Sequence, residues 1–240
     1  MKLLVTRPEP DNQRTAATLR ALGHDVLLAP MLRIEAVSDA DLGPSSLGAS
    51  PWAGVLLTSA NGARALAAHP RLGELQALPV VAVGRTSADV ARVAGFIDVI
   101  SADGNADDLA RLAAERFAGS RMPLLYPAGE DRSGDIAGAL SAKGIGVHTV
   151  VAYRAVAARE FSPEVRSVLM QGRVEGVLHF SRRSVESYMA CSRTIEKQAL
   201  APVHYCLSAR AAEPLRLAGA ARIEVAAQPD EASLIALISS

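Results

Sequence analysis

Residues 79–96 read PVVAVGRTSADVARVAGF, and residues 202–219 read PVHYCLSARAAEPLRLAG. Each stretch opens with Pro-Val, continues through about five residues typical of a strand, and then runs into a helix-like segment that stops at a glycine. The two stretches therefore predict the same strand-to-helix unit at two places in the chain. They differ at the turn, where GRTS (84–87) in the first stands against LSAR (207–210) in the second.

The same repetition extends through the whole chain. LLVTRPEP from Leu3 aligns with LLYPAGED from Leu124, and the segments LRALGHDV and LSAKGIGV align at the same offset of 121 residues. GVLLTSANGARAL from Gly54 then aligns with GVLHFSRRSVESY from Gly176. A repeat of this length predicts a duplicated structural unit. We expect two copies joined near Ser120, each a βαβ unit followed by three further βα steps.

Short apolar runs rich in Val, Ile and Leu alternate with amphipathic segments of about ten residues, which is the pattern of parallel strands buried between helices. The predicted strands are residues 2–5, 25–29, 54–57, 80–83, 97–100, 123–126, 146–151, 176–180, 203–207 and 222–225. These are too many for one compact sheet in a chain of 240 residues. The predicted fold is therefore α/β, with two similar lobes that each have a mostly parallel five-stranded sheet flanked by helices.

Two further segments, 30–37 and 149–156, are extended and rich in strand-forming residues. They predict arms that leave one sheet and run towards the other. We expect the two arms to pair as an antiparallel ribbon between the lobes.

Composition excludes several classes of partner. Lys plus Arg and Asp plus Glu balance at 25 each, so no overall field favours nucleic acid or an anionic membrane. The two cysteines form no CxxC motif, the N-terminus does not resemble a signal peptide, and no apolar run reaches the length of a membrane span. We expect a cytoplasmic monomer without a membrane or nucleic-acid partner.

Polar residues follow the predicted strands at the sheet edge where open α/β proteins bind ligands. Hydroxyl and amide side chains at such positions either cap a helix or leave its first N–H groups to bind an anion, and both readings stay open for each residue. Neither GxxxxGK[ST] nor GxGxxG occurs, so the edge has no dedicated phosphate loop. The candidate substrate-binding residues are Arg7, Ser59, Asn61, Gly84, Thr86, Ser87, Asn105, Gly129, Ser181, Ser208 and Arg210.

Catalytic candidates are few. There is no HExxH motif and no paired carboxylate at the predicted edge, so no metal site is expected. His179 is a candidate to face a cleft between the lobes, and Tyr153 on the predicted ribbon either presents its hydroxyl there or packs as an ordinary aromatic. A site without metal, cofactor or strong nucleophile works by holding an already activated substrate in a reactive shape.

The chain resembles the uroporphyrinogen-III synthase family over its whole length. The resemblance rests on the order and spacing of VTRPEPDNQRTAATLRALGHDVLLAPMLRI, VLLTSANGARAL, VAVGRTSADVARVAG, GNADDLARL, LLYPAGEDRSGDIAGALSAKGIGVHTVVAYRAV and LHFSRRS. It implies two α/β lobes joined by a two-stranded antiparallel ladder. Lobe 1 is then residues 1–33 with 158–240, lobe 2 is residues 38–149, and residues 34–37 and 150–157 are the linker strands.

The resemblance also implies an activity. The family closes the linear tetrapyrrole hydroxymethylbilane to uroporphyrinogen III, with inversion of ring D, loss of water and no cofactor, which is a lyase reaction. The partner is then a small molecule with eight carboxylates, and a transient contact with hydroxymethylbilane synthase is compatible with this. Tyr153 becomes the candidate proton donor, and the candidate residues at the sheet edge become carboxylate contacts.

The chain departs from the family pattern at two turns. LSAR (207–210) lacks the Gly and Thr of the Gly-Pro-x-Thr-like turn that many members have, and Arg210 is expected to supply a charged contact instead. Arg182 and Arg183 stand where the family often has Pro and a small residue. The sequence leaves the roles of these arginines open.

Two other functions fit the bare sequence. One is a non-catalytic bilobal module that binds a small polycarboxylate. The other is a group-transfer enzyme with a nucleotide donor, which would require an acidic ribose contact after a glycine-rich turn that the chain lacks.

Overall fold

The computed structural model describes residues 1–37, 40–43, 51–132 and 134–238. The predicted start of lobe 2 at residue 38 and the end of lobe 1 at residue 240 lie outside these residues. The described strands are β1 (Lys2–Val5), β2 (Asp25–Leu28), β3 (Leu32–Ala36), β4 (Gly54–Leu57), β5 (Val80–Ala82), β6 (Val99–Ser101), β7 (Leu124–Gly129), β8 (Val147–Ala157), β9 (Gly176–His179), β10 (Val203–Cys206) and β11 (Ile223–Val225).

Helices follow most of these strands. They are α1 (Asp11–Ala21), α2 (Ala60–Ala67), α3 (Leu72–Leu75), α4 (Arg85–Val93), α5 (Ala106–Arg116), α6 (Ile136–Ser141), α7 (Pro163–Met170), α8 (Arg182–Ser192), α9 (Glu196–Leu200), α10 (Ala209–Leu217) and α11 (Glu231–Ala236). In the described ranges, no helix has the length and apolar character to cross a membrane.

The chain forms two compact units. Unit 1 comprises Met1–Arg33 and Val156–Ser240, and unit 2 comprises Ile34–Ala155. The sheet of unit 1 has the strand order β11-β10-β9-β1-β2, with every pair parallel. The second sheet has the order β3-β8-β7-β4-β5-β6. The predicted α/β fold with two sheets is confirmed.

Strand β3 makes the second sheet mixed and gives it a sixth strand. The Val37 N–H donates to the Ala152 carbonyl at 2.8 Å, and the Ala158 N–H donates to the Met31 carbonyl at 3.0 Å. Chain numbers rise on one strand as they fall on the other, so β3 and β8 pair antiparallel. The predicted antiparallel pairing of the two arms is therefore present, and the second arm is part of β8, a single strand of 11 residues.

The two sheets share one strand order, which explains the sequence repeat. Reading from β11 in the first and from β6 in the second, β10 matches β5, β9 matches β4, β1 matches β7 and β2 matches β8. Each unit is assembled from both copies. Unit 1 combines β1, α1 and β2 of the first copy with β9 to β11 of the second.

Several boundaries differ from the sequence prediction. Pro127–Gly129 was expected to be a loop but continues β7, because these residues pair with β8. The strand predicted at 97–100 lies at Val99–Ser101, and Ile97 is exposed. The repeat is also offset by one residue at the turn, because β10 is one residue longer than β5. Ser208, rather than Leu207, is therefore the equivalent of Gly84.

A glycine begins the central strand of the repeat in both copies because an aromatic ring packs against it. A Cβ at Gly54 would lie 2.5 Å from the Phe117 ring and 2.7 Å from the Pro79 carbonyl oxygen. A Cβ at Gly176 would lie 2.7 Å from the Tyr205 ring. Such contacts are far inside van der Waals distance.

Two histidines are buried together in unit 1. His179 Nε2 lies 3.1 Å from His204 Nδ1, both side chains are fully buried, and both rings pack edge-on against Tyr188. The expectation that His179 faces a cleft is therefore wrong, since the side chain at the end of β9 points into the core. Burial lowers the pKa of His204 to about 4. Burial, reinforced by the charge of His204, holds the pKa of His179 well below its usual value.

We expect Gly54→Ala to lower the free energy of unfolding by about 1–3 kcal/mol, because the added methyl group has no room between the Phe117 ring and the Pro79 carbonyl oxygen. The matched control is Gly73→Ala in α3, where a Cβ meets nothing within 4 Å and should stabilise by about 0.4–1 kcal/mol. Urea unfolding midpoints measure both changes. Equal midpoints for the two variants would contradict the packing argument.

The histidine pair predicts a loss of stability in mild acid. Below the ordinary histidine pKa of 6.5 the unfolded chain binds protons that the folded pair excludes, because the pKa of His204 is lowered to about 4 and that of His179 lies well below its usual value. The free energy of unfolding should therefore fall as the pH drops across this window, and the pair should add no pH dependence above it. Urea unfolding at several pH values tests this. In the double variant His179→Leu/His204→Leu the decline should be shallower, and a slope equal to that of the unmodified protein would refute the assignment.

Candidate active site

A pocket with a volume of about 270 Å³ lies at the carboxyl edge of the sheet of unit 2. Its walls come from β7 and β8, from the segments that follow β4, β5 and β7, and from the first residues of α5 and α6. The lining residues are Thr58, Ser59, Val83, Ala106, Tyr126, Gly129, Asp131, Arg132, Gly134, Ile136 and Tyr153. Three predicted site residues, Ser59, Gly129 and Tyr153, are thereby brought together.

Two tyrosine–hydroxyl pairs line this pocket. The Tyr153 hydroxyl lies 2.8 Å from Ser59 Oγ, and the Tyr126 hydroxyl lies 2.9 Å from Thr58 Oγ1. Thr58 and Ser59 are consecutive between β4 and α2, whereas the tyrosines come from β7 and β8. The register of three strands therefore places four hydroxyl groups at one edge.

The environment of Tyr153 keeps its phenol protonated. The side chain is half-buried, and this desolvation raises the pKa of Tyr153 above its usual value of 10.0. The hydrogen bond with Ser59 offsets part of this rise in pKa, and Tyr126 adds to it. At neutral pH Tyr153 is thus a hydrogen-bond donor.

Arg132 is the cation among the pocket-lining residues. Its guanidinium is exposed and makes no hydrogen bond or ion pair with any residue that the structure describes. Asp131 beside it also lines the pocket, so the local charge is mixed. A guanidinium that is not neutralised internally is suited to a carboxylate ligand.

The helix starts differ between the two units. Ser181 Oγ accepts from the Ser184 N–H at 3.1 Å and Ser208 Oγ accepts from the Ala211 N–H at 3.3 Å, so both serines cap helices of unit 1. Ser59 precedes α2 with the same extended backbone but does not cap it, and Gly84 before α4 has no side chain to do so. The N–H groups of the first two residues of α2 and of α4 have no acceptor among the described residues, so they are available to an acceptor from elsewhere.

Other predicted residues of unit 2 have partners or positions away from the pocket lining. Asn105 forms a capping box with Asp108 at the start of α5, so its side-chain oxygen is occupied. The Asn61 side-chain oxygen accepts from Arg64 at 2.7 Å. Ser87 is buried in α4, and Thr86 is exposed on the first turn of that helix.

The two arginines predicted as site residues in unit 1 differ in whether they have internal partners. Arg7 donates to Glu231 at 2.9 Å, lies 3.8 Å from Asp11, and stacks on the Phe180 ring at 5.0 Å. Arg210 is exposed on the first turn of α10 and has no partner within the described ranges. Arg7 is thus neutralised internally, whereas Arg210 is free to meet an anion.

Arg182, whose role the sequence left open, joins two helices. Its guanidinium contacts Glu186 on α8 at 2.8 Å and Glu213 on α10 at 2.5 Å. These carboxylates account for its charge, so Arg182 is a structural ion-pair partner.

Eight of the eleven pocket-lining residues were missing from the sequence candidates, among them Thr58, Tyr126 and Arg132. Tyr126 was assigned to the last position of a buried strand, where an aromatic ring is expected to pack. In the structure it packs its ring against the α5 and α6 side of the sheet and still presents its hydroxyl to Thr58. Its position two residues after Leu124 and two before Ala128, on one face of β7, was the available signal.

A family model described as "Uroporphyrinogen-III synthase HemD" matches residues 13–236. No curated protein matches the sequence. In the described part of the chain, no three His, Cys, Asp or Glu side chains gather as they would around a metal ion.

Two solved structures are similar in fold. The uroporphyrinogen-III synthetase from Helicobacter pylori has a TM-score of 0.65 at 13% identity, with 99% of this chain and 98% of that chain covered. A mutant uroporphyrinogen III synthase from Thermus thermophilus has a TM-score of 0.50 at 17% identity, with 100% and 97% covered. At such identities the likeness establishes the fold alone.

Proposed function

Because the chain belongs to the uroporphyrinogen-III synthase family of tetrapyrrole biosynthesis, we propose that it converts hydroxymethylbilane to uroporphyrinogen III as a lyase, with loss of water and inversion of ring D. The observation that best supports a catalytic role for this chain is the Tyr153 hydroxyl, held 2.8 Å from Ser59 in the pocket of unit 2. The resemblance inferred from the sequence is confirmed by the family match.

The protein needs to supply few catalytic groups for this reaction, because the substrate is already activated. The electron-rich pyrrole expels the terminal hydroxyl and becomes an azafulvene cation, and the hydroxyl takes up a proton from a donor and leaves as water. Tyr153 is this donor in our proposal. Its raised pKa makes the resulting phenolate short-lived, because the phenolate takes back the proton that the attacked pyrrole carbon releases on ring closure.

Product specificity then depends on how the substrate is folded before the ring closes. Left alone, the cation closes to the unrearranged type I isomer, whereas ring inversion passes through a spiro intermediate. Anchoring the carboxylates selects the conformation that favours the second route. The anchors that we propose in unit 2 are Arg132 and the first N–H groups of α2 and α4.

In unit 1 the best-supported anchor is Arg210, because its guanidinium is exposed and has no partner among the described residues. Arg7, Ser181 and Ser208 already make internal contacts, and their binding of substrate remains a prediction. Cytoplasmic location, a monomeric state and a transient contact with hydroxymethylbilane synthase also remain predictions. A non-catalytic binding module is not favoured, because the matching family is one of enzymes.

The test of this function is an isomer analysis. Hydroxymethylbilane is generated in situ by its synthase, the protein is added, and the oxidised uroporphyrins are separated by chromatography. We expect the type III isomer to dominate with the protein and the type I isomer without it. An unchanged proportion of type I product would exclude the proposed activity.

We expect Tyr153→Phe to lower kcat for type III formation by roughly 10²-fold or more, because the departing hydroxyl loses its donor. KM should change little, since the proposed carboxylate anchors remain. Initial rates of type III formation give both constants, and a urea unfolding curve checks that the fold is intact. Unaltered kinetics would reduce Tyr153 to a packing residue.

We expect Arg132→Gln to raise KM several-fold with a smaller effect on kcat, because it removes a proposed carboxylate anchor and leaves the Tyr153 hydroxyl in place. The matched control is Arg121→Gln, which removes the same charge from an exposed residue before β7, at the opposite edge of the sheet. Steady-state kinetics at two salt concentrations measure the difference. Equal KM values for the two variants would remove Arg132 from the substrate site.

A further inference from the structure

Tyr153 reaches its hydrogen-bond partner across a neighbouring strand. Tyr153 is on β8 and Ser59 follows β4, and β7 lies between these two strands in the sheet. Adjacent strands are about 4.8 Å apart, so the phenol must cross the whole width of β7. It crosses at Gly129, the last residue of β7 and the register partner of Tyr153.

Gly129 leaves the space that the phenol ring occupies. A Cβ at this position would lie 3.0 Å from both Cε2 and Cζ of Tyr153 and 3.2 Å from its hydroxyl oxygen. Carbon atoms in ordinary contact are about 3.5–4.0 Å apart, so a side chain here would push the ring away. Gly129 is not among the residues with positive φ, so the backbone conformation does not by itself require glycine.

A register shift between β7 and β8 directs the Tyr153 ring towards the space beside Gly129. Ala128 pairs with Val151 but Gly129 pairs with Tyr153, which leaves Ala152 as an extra residue on β8. Such a β-bulge changes the direction of the side chains that follow it. The Glu130 N–H then bonds the Tyr153 carbonyl at 2.9 Å and fixes the backbone beyond the bulge.

Ser59 completes the arrangement at the far side of β7. As the residue before α2 it has the extended backbone of a helix cap, yet its hydroxyl bonds Tyr153 rather than the helix. This hydrogen bond holds the Tyr153 phenol in place.

We propose that Gly129 and Ser59 are positioning residues for the Tyr153 hydroxyl, the glycine by letting the phenol cross β7 and the serine by fixing its end point. The inference rests on the proposed catalytic role of Tyr153. It gives both residues a task different from the substrate contacts expected from the sequence. Neither residue needs to touch the substrate to affect the rate.

The first test is Gly129→Ala. We expect kcat for type III formation to fall by about ten- to a hundredfold with a small change in KM, because the phenol is displaced from its donor position. Gly73→Ala is the control, since it adds the same methyl group to open space in the same unit and should leave the kinetics unchanged. A Gly129→Ala enzyme with normal kcat would overturn the proposal.

A double-mutant cycle separates positioning from a general effect on the site. In a Tyr153→Phe background, Gly129→Ala and Ser59→Ala should each cause little further loss, because the hydroxyl that they position is already absent. Ser59→Thr, which keeps a hydroxyl, should restore part of the rate lost in Ser59→Ala. Equal losses in both backgrounds would show that Gly129 and Ser59 act independently of Tyr153.

A titration decides the question without any assay of activity. The ultraviolet absorbance of ionised tyrosine, taken as the difference between each protein and its Tyr153→Phe counterpart, follows Tyr153 alone. We expect Gly129→Ala to lower the pKa of Tyr153 towards its usual value, since burial is the main cause of its rise. An unchanged titration would refute the positioning role. If the protein yields no type III isomer, the proposed function fails while this measurement still stands.

Discussion

The hydrogen bonds of β8 are the constraint on which the rest of unit 2 depends. This strand pairs with β7 over Val147–Tyr153 and with β3 over its later residues, so the two ladders meet near Tyr153. Breaking either ladder would leave backbone N–H and C=O groups without partners, at a cost of about 1–3 kcal/mol for each group that is buried. The place of Tyr153 is fixed by this backbone before any side chain is considered.

The two units share one strand order, but the helix starts at their sheet edges differ. In unit 1 the serines before α8 and α10 use their hydroxyls on their own helices. In unit 2 the corresponding hydroxyl of Ser59 is drawn to Tyr153, and the equivalent of Ser208 is Gly84. The same turn therefore closes a helix in one unit and leaves N–H donors in the other. A linear tetrapyrrole has ends of different chemistry, which suits unlike edges.

The sequence predicted the fold well because burial of parallel strands leaves apolar runs that are easily recognised, and the repeat doubled that signal. It missed the end of β7 because Pro127-Ala128-Gly129 has the composition of a turn. The strand continues there because β8 supplies partners to its backbone, which no local pattern reveals.

The candidate site was harder to predict because identical residue types perform different tasks. Asn105 and Ser59 both precede helices, yet only Asn105 caps its own helix. The difference depends on the bulge at Ala152, which brings Tyr153 within reach of Ser59. The prediction for His179 was wrong for a similar reason. Its position at the end of a strand indicated that its side chain lies at the sheet edge, whereas the contact with His204 holds it in the core.

The interleaving of the two copies has a consequence for synthesis on the ribosome. Unit 2 is one continuous segment, so its sheet can form as soon as β8 has emerged. Strand β1 lies at the interior of the other sheet beside β9, more than 170 residues later in the chain. Strand β1 must therefore remain without its neighbour β9 until more than 170 further residues have been made, and this long loop closure makes unit 1 the slower unit to fold.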